Sequence, residues 1–302
     1  MKYTTFGKTG LRVSRIALGG MPFGAVHNAA GWNPFAEDGQ SIATRTVHAA
    51  LAAGINYIDT APSYGYGAPE NFGNSERIIG KALEGRRDSC SIATKVGHTM
   101  SKAETIAGVE ASLKRLRTDH VEVLQFHGGS YSRAEMDHIL NEGPMEALQE
   151  LREQGKARWL GFTAEQADTA LPLIETGLFD MVQVRYNIIF QGISSGAIEA
   201  ATKRGMGITV MRPMASGQFA RIVEALEPRW VAAADPYDVA LKFVLSDSRI
   251  HMANVGMRFP EEVARNARIV GEFEPTLDIA TLPRTMIGFY EEDDKRHPAA
   301  TH

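Results

Sequence analysis

Ser91-Ile92-Ala93-Thr94-Lys95-Val96, an amphipathic segment at 103–117, then Val121-Glu122-Val123-Leu124-Gln125-Phe126-His127: this stretch decides the fold. Its two ends are short apolar runs that read as buried strands. Between them Ile106, Val109, Leu113 and Leu116 recur at three- and four-residue spacing, so one helical face is apolar. Two strands joined by a helix pair in parallel, because the chain crosses back before running the same way again.

The same unit repeats in both directions. Upstream, a helix over 40–53 stops at Gly54, Ile55-Asn56-Tyr57-Ile58 gives a strand ending at Asp59, and a helix follows over 75–84. Before it lie the strand Ser14–Gly20 and a small hairpin turning at Gly7-Lys8-Thr9-Gly10. A long loop over 21–40 separates that strand from the first helix, and long loops in compact domains tend to be functional. Downstream, helices at 144–154, 166–176, 195–204 and 236–245 alternate with strands at 158–163, 181–186, 207–211 and 251–256. A last helix opens at Pro260 with Glu261 and Glu262 in its first turn, where acids suit the helix dipole. Eight strand–helix units without a break in composition predict one closed (β/α)8 TIM barrel spanning 1–302, with variable substrate loops. Residues 291–302 are charged and aperiodic and are expected to form a mobile tail. A doubly wound sheet would carry a G-x-G-x-x-G turn after its first strand; Gly65-Tyr66-Gly67 lies in a loop and lacks the third glycine.

Of 302 residues, 44% are hydrophobic and 23% charged, enough for a sizeable core. A net charge of −4 gives no basic nucleic-acid face and no polybasic membrane patch. Cys90 is the sole cysteine, which excludes an internal disulfide and an all-cysteine metal site; no metal is expected. The first residues lack a signal-peptide core and no apolar run approaches a membrane span, so a cytoplasmic location is the expectation.

Functional groups of such barrels gather where strands end at the carboxyl side. Three adjacent strands carry polar groups there: Asp59 with Tyr64 in its loop, Lys95, and His127. Any one of them alone reads better as a turn cap, a structural ion pair or a packed ring. Four converging on one barrel end reverse that preference. An ammonium beside a phenol favours the phenolate, Asp59 can pair with Lys95, and His127 can orient a substrate oxygen. The group moves a proton at a carbonyl or alcohol oxygen but contains no hydride donor.

The stretch Asp59-Thr60-Ala61-Pro62-Ser63-Tyr64-Gly65, followed by Asn74-Ser75-Glu76-Arg77-Ile78-Ile79-Gly80-Lys81-Ala82-Leu83, resembles the aldo-keto reductase signature. Ala93–Gly97, Ser112–Asp119, Glu153–Lys156 with Gly161-Phe162, and Asp238–Leu241 resemble family segments in the same order, from residue 2 to about 270. The resemblance implies NAD or NADP bound in an extended pose at the C-terminal face, and hydride transfer to or from a small carbonyl or alcohol, sugars included. It implies Tyr64 as general acid, Asp59 and Lys95 as its tuning pair, and His127 as the carbonyl-orienting group. It places the carboxamide on Gln183, the nicotinamide ring against Met211 with Arg212 beside it, and the adenosine end along Gly256, Arg258, Glu262, Arg265 and Asn266. Met211 is equally readable as core filler.

Two departures stand out. Where many members carry Ser-Asn to bind the carboxamide, this chain has Thr163-Ala164; Thr163 keeps a hydroxyl and Ala164 has none. Where NADP-preferring relatives carry a base, this chain has Glu262, while Arg258 and Arg265 still offer positive charge. His27, Trp32, Phe35 and Trp230 are candidate pocket-lining residues, with 271–290 as a further wall. Two other functions stay open at this point: a Schiff-base lyase using Lys95, and a nucleotide-binding redox sensor with little turnover.

Overall fold

The computed structural model describes residues 1–194, 196–226 and 234–281. Its central feature is a closed barrel of eight parallel strands: β3 (Ile16–Gly19), β4 (Tyr57–Asp59), β5 (Ser91–Gly97), β6 (Val121–His127), β7 (Ala157–Ala164), β8 (Met181–Arg185), β9 (Gly207–Met211) and β10 (Met252–Gly256). Closure comes where β10 returns to β3, with Ala253 opposite Ile16 and Gly256 opposite Gly19. Ahead of the barrel, β1 (Tyr3–Thr5) and β2 (Arg12–Ser14) form the expected antiparallel hairpin.

The helices follow the sequence pattern closely: α1 (Glu37–Ala52), α2 (Asn74–Ala82), α3 (Lys102–Leu116), α4 (Arg133–Asn141), α5 (Pro144–Glu153), α6 (Ala167–Glu175), α7 (Ala197–Lys203), α8 (Gln218–Leu226), α9 (Pro236–Leu245) and α10 (Pro260–Glu272). Two of these, α4 and α8, the sequence reading did not include. The signal for α4 was present, because Ser132 and Glu135 form a reciprocal capping box. None of the described helices is long and apolar enough to cross a membrane.

Side chains alternate along a strand, so every second residue faces the barrel interior. Ala17, Tyr57, Ala93, Val123, Met181 and Met252 form one apolar cluster there, together with Phe6 and Val13 of the hairpin region. Phe6 meets Tyr57 and His251 edge-on, at 5.9 and 5.8 Å between ring centroids. Lys8 also donates its backbone N–H to Gly205 just below β9, so the hairpin plugs the N-terminal mouth. Two residues further along those six strands stand Gly19, Asp59, Lys95, Gln125, Gln183 and Asn254. Within one pleat the interior turns from apolar to polar.

Two loop expectations change. The 21–40 loop is compact, with tight turns at Met21–Gly24 and Asn28–Ala30 and a His27–Trp32 bridge, and its last residues already belong to α1. The described part of 271–290 does not wall the site. A barrel helix runs from the C-terminal to the N-terminal face, so the chain leaving α10 emerges at the plugged end. There Ile279 donates to Ser246 O, Ser248 donates to Asp278, and Lys2 donates to Phe273 O. Residues 282–302, including the expected tail, lie outside the described residues.

Candidate active site

Asp59 is the hub of the polar layer. Lys95 Nζ lies 2.6 Å from its Oδ2, 2.8 Å from Thr60 O and 3.2 Å from the Tyr64 hydroxyl. All three ammonium protons are engaged, and Lys95 and Asp59 are each only 1% exposed. Asn254 Nδ2 also donates to Oδ2 at 2.9 Å, and the amides of Gln125 and Gln183 each reach Oδ1 at 3.2 Å. A carboxylate only accepts, so all three amides must turn their NH2 groups toward it. Four donors compensate a buried charge whose desolvation would otherwise cost several kcal/mol.

The loop after β4 is held tightly enough to aim Tyr64. Ser75 at the start of α2 donates its hydroxyl to Gly20 O and meets the Thr60 hydroxyl at 2.8 Å. Asn74 donates to Phe23 O and Pro34 O, tying the 21–34 loop to the same helix. Gly24 is pressed against Tyr64: a Cβ there would sit 2.2 Å from the tyrosine carbonyl carbon. Glu76, fully buried behind this loop, accepts from Thr94 and Arg115. The residues following the tyrosine motif thus work as braces.

The electrostatics sharpen the expected roles. Burial pushes the Tyr64 hydroxyl up; Lys95 pulls it down and Asp59 pushes it back, and burial prevails. The sequence reading expected the ammonium to lower that value; desolvation of the half-buried ring outweighs it, and Tyr64 keeps its proton. Burial works against the charge of Lys95, yet Asp59 and Tyr64 outweigh it and hold the ammonium above its ordinary value. For His127, burial, reinforced by the Lys95 charge, lowers the imidazole to about 4, so it is neutral near pH 7. Its Nδ1 lies 3.2 Å from Ser63 Oγ, and its carbonyl accepts from His98 Nδ1 at 2.8 Å. His98 Nε2 in turn faces Glu135 at 3.1 Å.

Sequence reasoning missed Gln125, Asn254, Ser63 and His98. The first two were findable, being polar residues two positions past an apolar inward residue. Ser63 and His98 sit in loops and strand ends, where spacing does not reveal which groups meet.

The residues assigned to a cofactor fare unevenly. Gln183 points into the barrel with its NH2 on Asp59, which leaves Oε1 able to accept from a carboxamide. The Thr163 hydroxyl is already engaged: it donates to Gly128 O at 2.5 Å and accepts from Gly128 N at 2.9 Å. Met211 ends β9 and Arg212 follows it, and Arg212, Ala215 and Ser216 all have φ near +50°. Three non-glycine residues in the left-handed region of one six-residue loop cost about 1–3 kcal/mol each, strain that clusters at ligand clamps. That loop and the free Gln183 oxygen suit an extended dinucleotide on the C-terminal face. At the other end, Gly256 closes the barrel beside Gly19 and Asn266 is buried. Arg258 gives both its guanidinium and its backbone N–H to Glu262, and Arg265 is paired with Asp235 and Asp238. The two cations expected to offer free positive charge are both matched by carboxylates.

Among the pocket candidates, Trp32 is a core side chain at 2% exposure. It packs edge-on against Phe259 and donates its indole N–H to Pro22 O. Its role is to anchor the 21–34 loop. His27 is exposed, Phe35 is half-buried, and Trp230 lies outside the described residues.

Known proteins bear on this geometry. The sequence model of a family described as the Aldo/keto reductase family matches residues 15–228. L-galactose dehydrogenase of Arabidopsis thaliana is 28% identical, over 89% of this chain and 88% of that protein. NADH-specific methylglyoxal reductase of Escherichia coli is also 28% identical, over 95% and 98%. An aldo-keto reductase of Klebsiella pneumoniae, solved with NADPH, superposes with a TM-score of 0.70 over 100% of this chain and 96% of its own; at 20% identity it speaks for the fold alone.

Proposed function

The chain belongs to the aldo/keto reductase family, and on that premise we propose that it reduces a small polar aldehyde or ketone with a nicotinamide dinucleotide. The observation that carries this reading is the Asp59–Lys95–Tyr64 chain of hydrogen bonds beside a neutral His127. When bound, the cofactor supplies the hydride that the protein's own groups lack. Tyr64, holding its proton, gives it to the carbonyl oxygen. The phenolate left behind is stabilised by Lys95, 3.2 Å away, and takes its next proton from solvent. Asp59 keeps Lys95 charged and aimed, and His127 orients the carbonyl.

The names of two relatives, a galactose dehydrogenase and a methylglyoxal reductase, support small polar carbonyl compounds or their alcohols as substrates. Gln183, the 212–217 loop, Arg258, Glu262, Arg265 and Asn266 would hold the cofactor. Among the described residues, the guanidinium groups of Arg258 and Arg265 already face three carboxylates instead of a 2′-phosphate, which favours NADH over NADPH. A Schiff base on Lys95 is disfavoured, because its ammonium is fully hydrogen-bonded and held charged.

The test is consumption of NADH and NADPH with a panel of small aldehydes, ketones and sugars. Turnover with NADH on at least one carbonyl, lowered by about a hundredfold or more in Tyr64→Phe, is expected. Tight nucleotide binding with no turnover on any carbonyl would instead identify a redox sensor.

A further inference from the structure

We infer that Ser63 is a positioning residue that fixes His127 as the tautomer carrying its proton on Nε2. The inference rests on the carbonyl-reducing reading above and asks which nitrogen meets the substrate. Ser63 Oγ and His127 Nδ1 are 3.2 Å apart, and either atom can donate. A hydroxyl has one proton to give, and among the described residues Nδ1 is the acceptor within its reach. A neutral imidazole likewise has one N–H. Were it on Nδ1, it would be used on Ser63, and Nε2 would present a bare lone pair to an oxygen that itself carries lone pairs. With Ser63 donating, Nε2–H stays available. His127 and Tyr64 stand edge-on, 5.8 Å between ring centroids and 83° between planes, so the two rings are neighbours at the same barrel end. Two preorganised donors on an oxygen that gains charge are what its reduction needs.

The His127 ring is neutral near pH 7, so its tautomer, rather than its charge, is the variable. Its backbone is held separately, by His98 on the His127 carbonyl at 2.8 Å and by the pairing of β6, and its ring also packs edge-on against Tyr64. Removing the Ser63 hydroxyl therefore releases the choice of protonated nitrogen while these contacts remain.

The test reads the two His127 nitrogens in long-range proton–nitrogen spectra of the full chain without added ligand. A protonated Nε2 and a bare Nδ1 are expected in the wild type and in Ser63→Thr, which keeps the hydroxyl. Ser63→Ala is expected to show a mixture and to lose about three- to tenfold in kcat, the effect of one hydrogen bond, with KM for NADH unchanged. Ser63→Asp, which can only accept, is expected to move the proton to Nδ1 and lose more. A protonated Nδ1 in the wild type overturns the inference, as does a Ser63→Ala protein that keeps the pure Nε2–H form or the wild-type kcat. Because the spectra need no turnover, their outcome is separable from that of the carbonyl panel. A Ser63→Asp chain that fails to fold leaves the wild-type and alanine spectra to decide.

Discussion

At the lower end of the barrel, six strands turn Ala17, Tyr57, Ala93, Val123, Met181 and Met252 inward, and Phe6 closes the mouth over them. At the upper end the same strands turn Gly19, Asp59, Lys95, Gln125, Gln183 and Asn254 inward, and four donors converge on one carboxylate. The backbone geometry is the same; only the register differs, by one pleat. The lower layer stabilises by burying apolar area. The upper layer gains little net stability from its buried charges, but it holds them where a proton can be moved. Stability and chemistry are thus stacked along one axis, and each can be perturbed without the other.

The sharpest way to break that separation is a crossed pair of variants. Tyr64→Phe removes the proton donor and should lower carbonyl turnover by about 10²–10⁴-fold, with a change in unfolding free energy below about 1 kcal/mol. Phe6→Ala should cost about 3–5 kcal/mol of stability while the folded fraction keeps its kcat. Denaturant curves and steady-state rates on both proteins decide. If Phe6→Ala lowered kcat as Tyr64→Phe does, the two layers would be coupled.

The two ends share one feature, a half-buried histidine that is neutral near pH 7. His127 above and His251 below are each lowered to about 4, in both cases chiefly by burial, with Lys95 and Arg15 adding to it. A depressed folded-state value means that the native form resists protonation while the unfolded chain accepts it near 6.5. The stabilising contribution is fully present above pH 6.5 and is lost as pH falls toward 4, up to about 3 kcal/mol for each ring. Urea midpoints should therefore drop across that window. His251→Phe should remove the lower share of the slope and leave the pH–rate profile unchanged. A slope that survived this substitution intact would assign the whole effect elsewhere.

The two halves of the barrel, counted around it, differ in how far the sequence revealed them. On β4 to β6 it was legible, because polar residues recur at the ends of three adjacent strands: Lys95 joins Asp59 to Tyr64, and His127 stands against the Tyr64 ring. On β7 to β10 the residue types were read correctly, but their partners were not. Thr163, Arg258 and Arg265 looked like free donors and cations. Thr163 is engaged by Gly128 across a loop, and Arg265 by Asp235 and Asp238 at the start of a neighbouring helix, partners that no spacing rule gives; Glu262, four residues after Arg258, was readable as its ion-pair partner. Trp32 misled for a similar reason, since an aromatic residue in a loop reads the same whether it lines a pocket or anchors the loop.

The Arg258–Glu262 pair gives a medium-sized test of that difference. Glu262→Gln removes one carboxylate and frees the guanidinium for a 2′-phosphate. The ratio of NADPH to NADH affinity should rise about tenfold, equivalent to about 1.4 kcal/mol. Stability should change by no more than about 1 kcal/mol, because the pair is partly exposed. An unchanged ratio in parallel titrations would mean that the adenosine end lies away from Arg258.

Thr163 is where the smallest effect is expected, and it separates residue type from residue role most cleanly. Its hydroxyl both gives and takes a hydrogen bond at Gly128, and its carbonyl accepts from Tyr131 at 2.7 Å. That stitching fixes the loop after β6 directly beyond His127. Thr163→Val keeps the shape and removes the hydroxyl, so a half-buried donor and acceptor at Gly128 lose a partner, at a cost of about 1 kcal/mol in stability. Cofactor affinity should move by less than about twofold, because a proton already given to Gly128 is not available to a carboxamide. A tenfold loss of affinity with little change in stability would reverse the assignment. It would mean that Thr163 exchanges Gly128 for the cofactor on binding, and that the loop beyond His127 moves when it does.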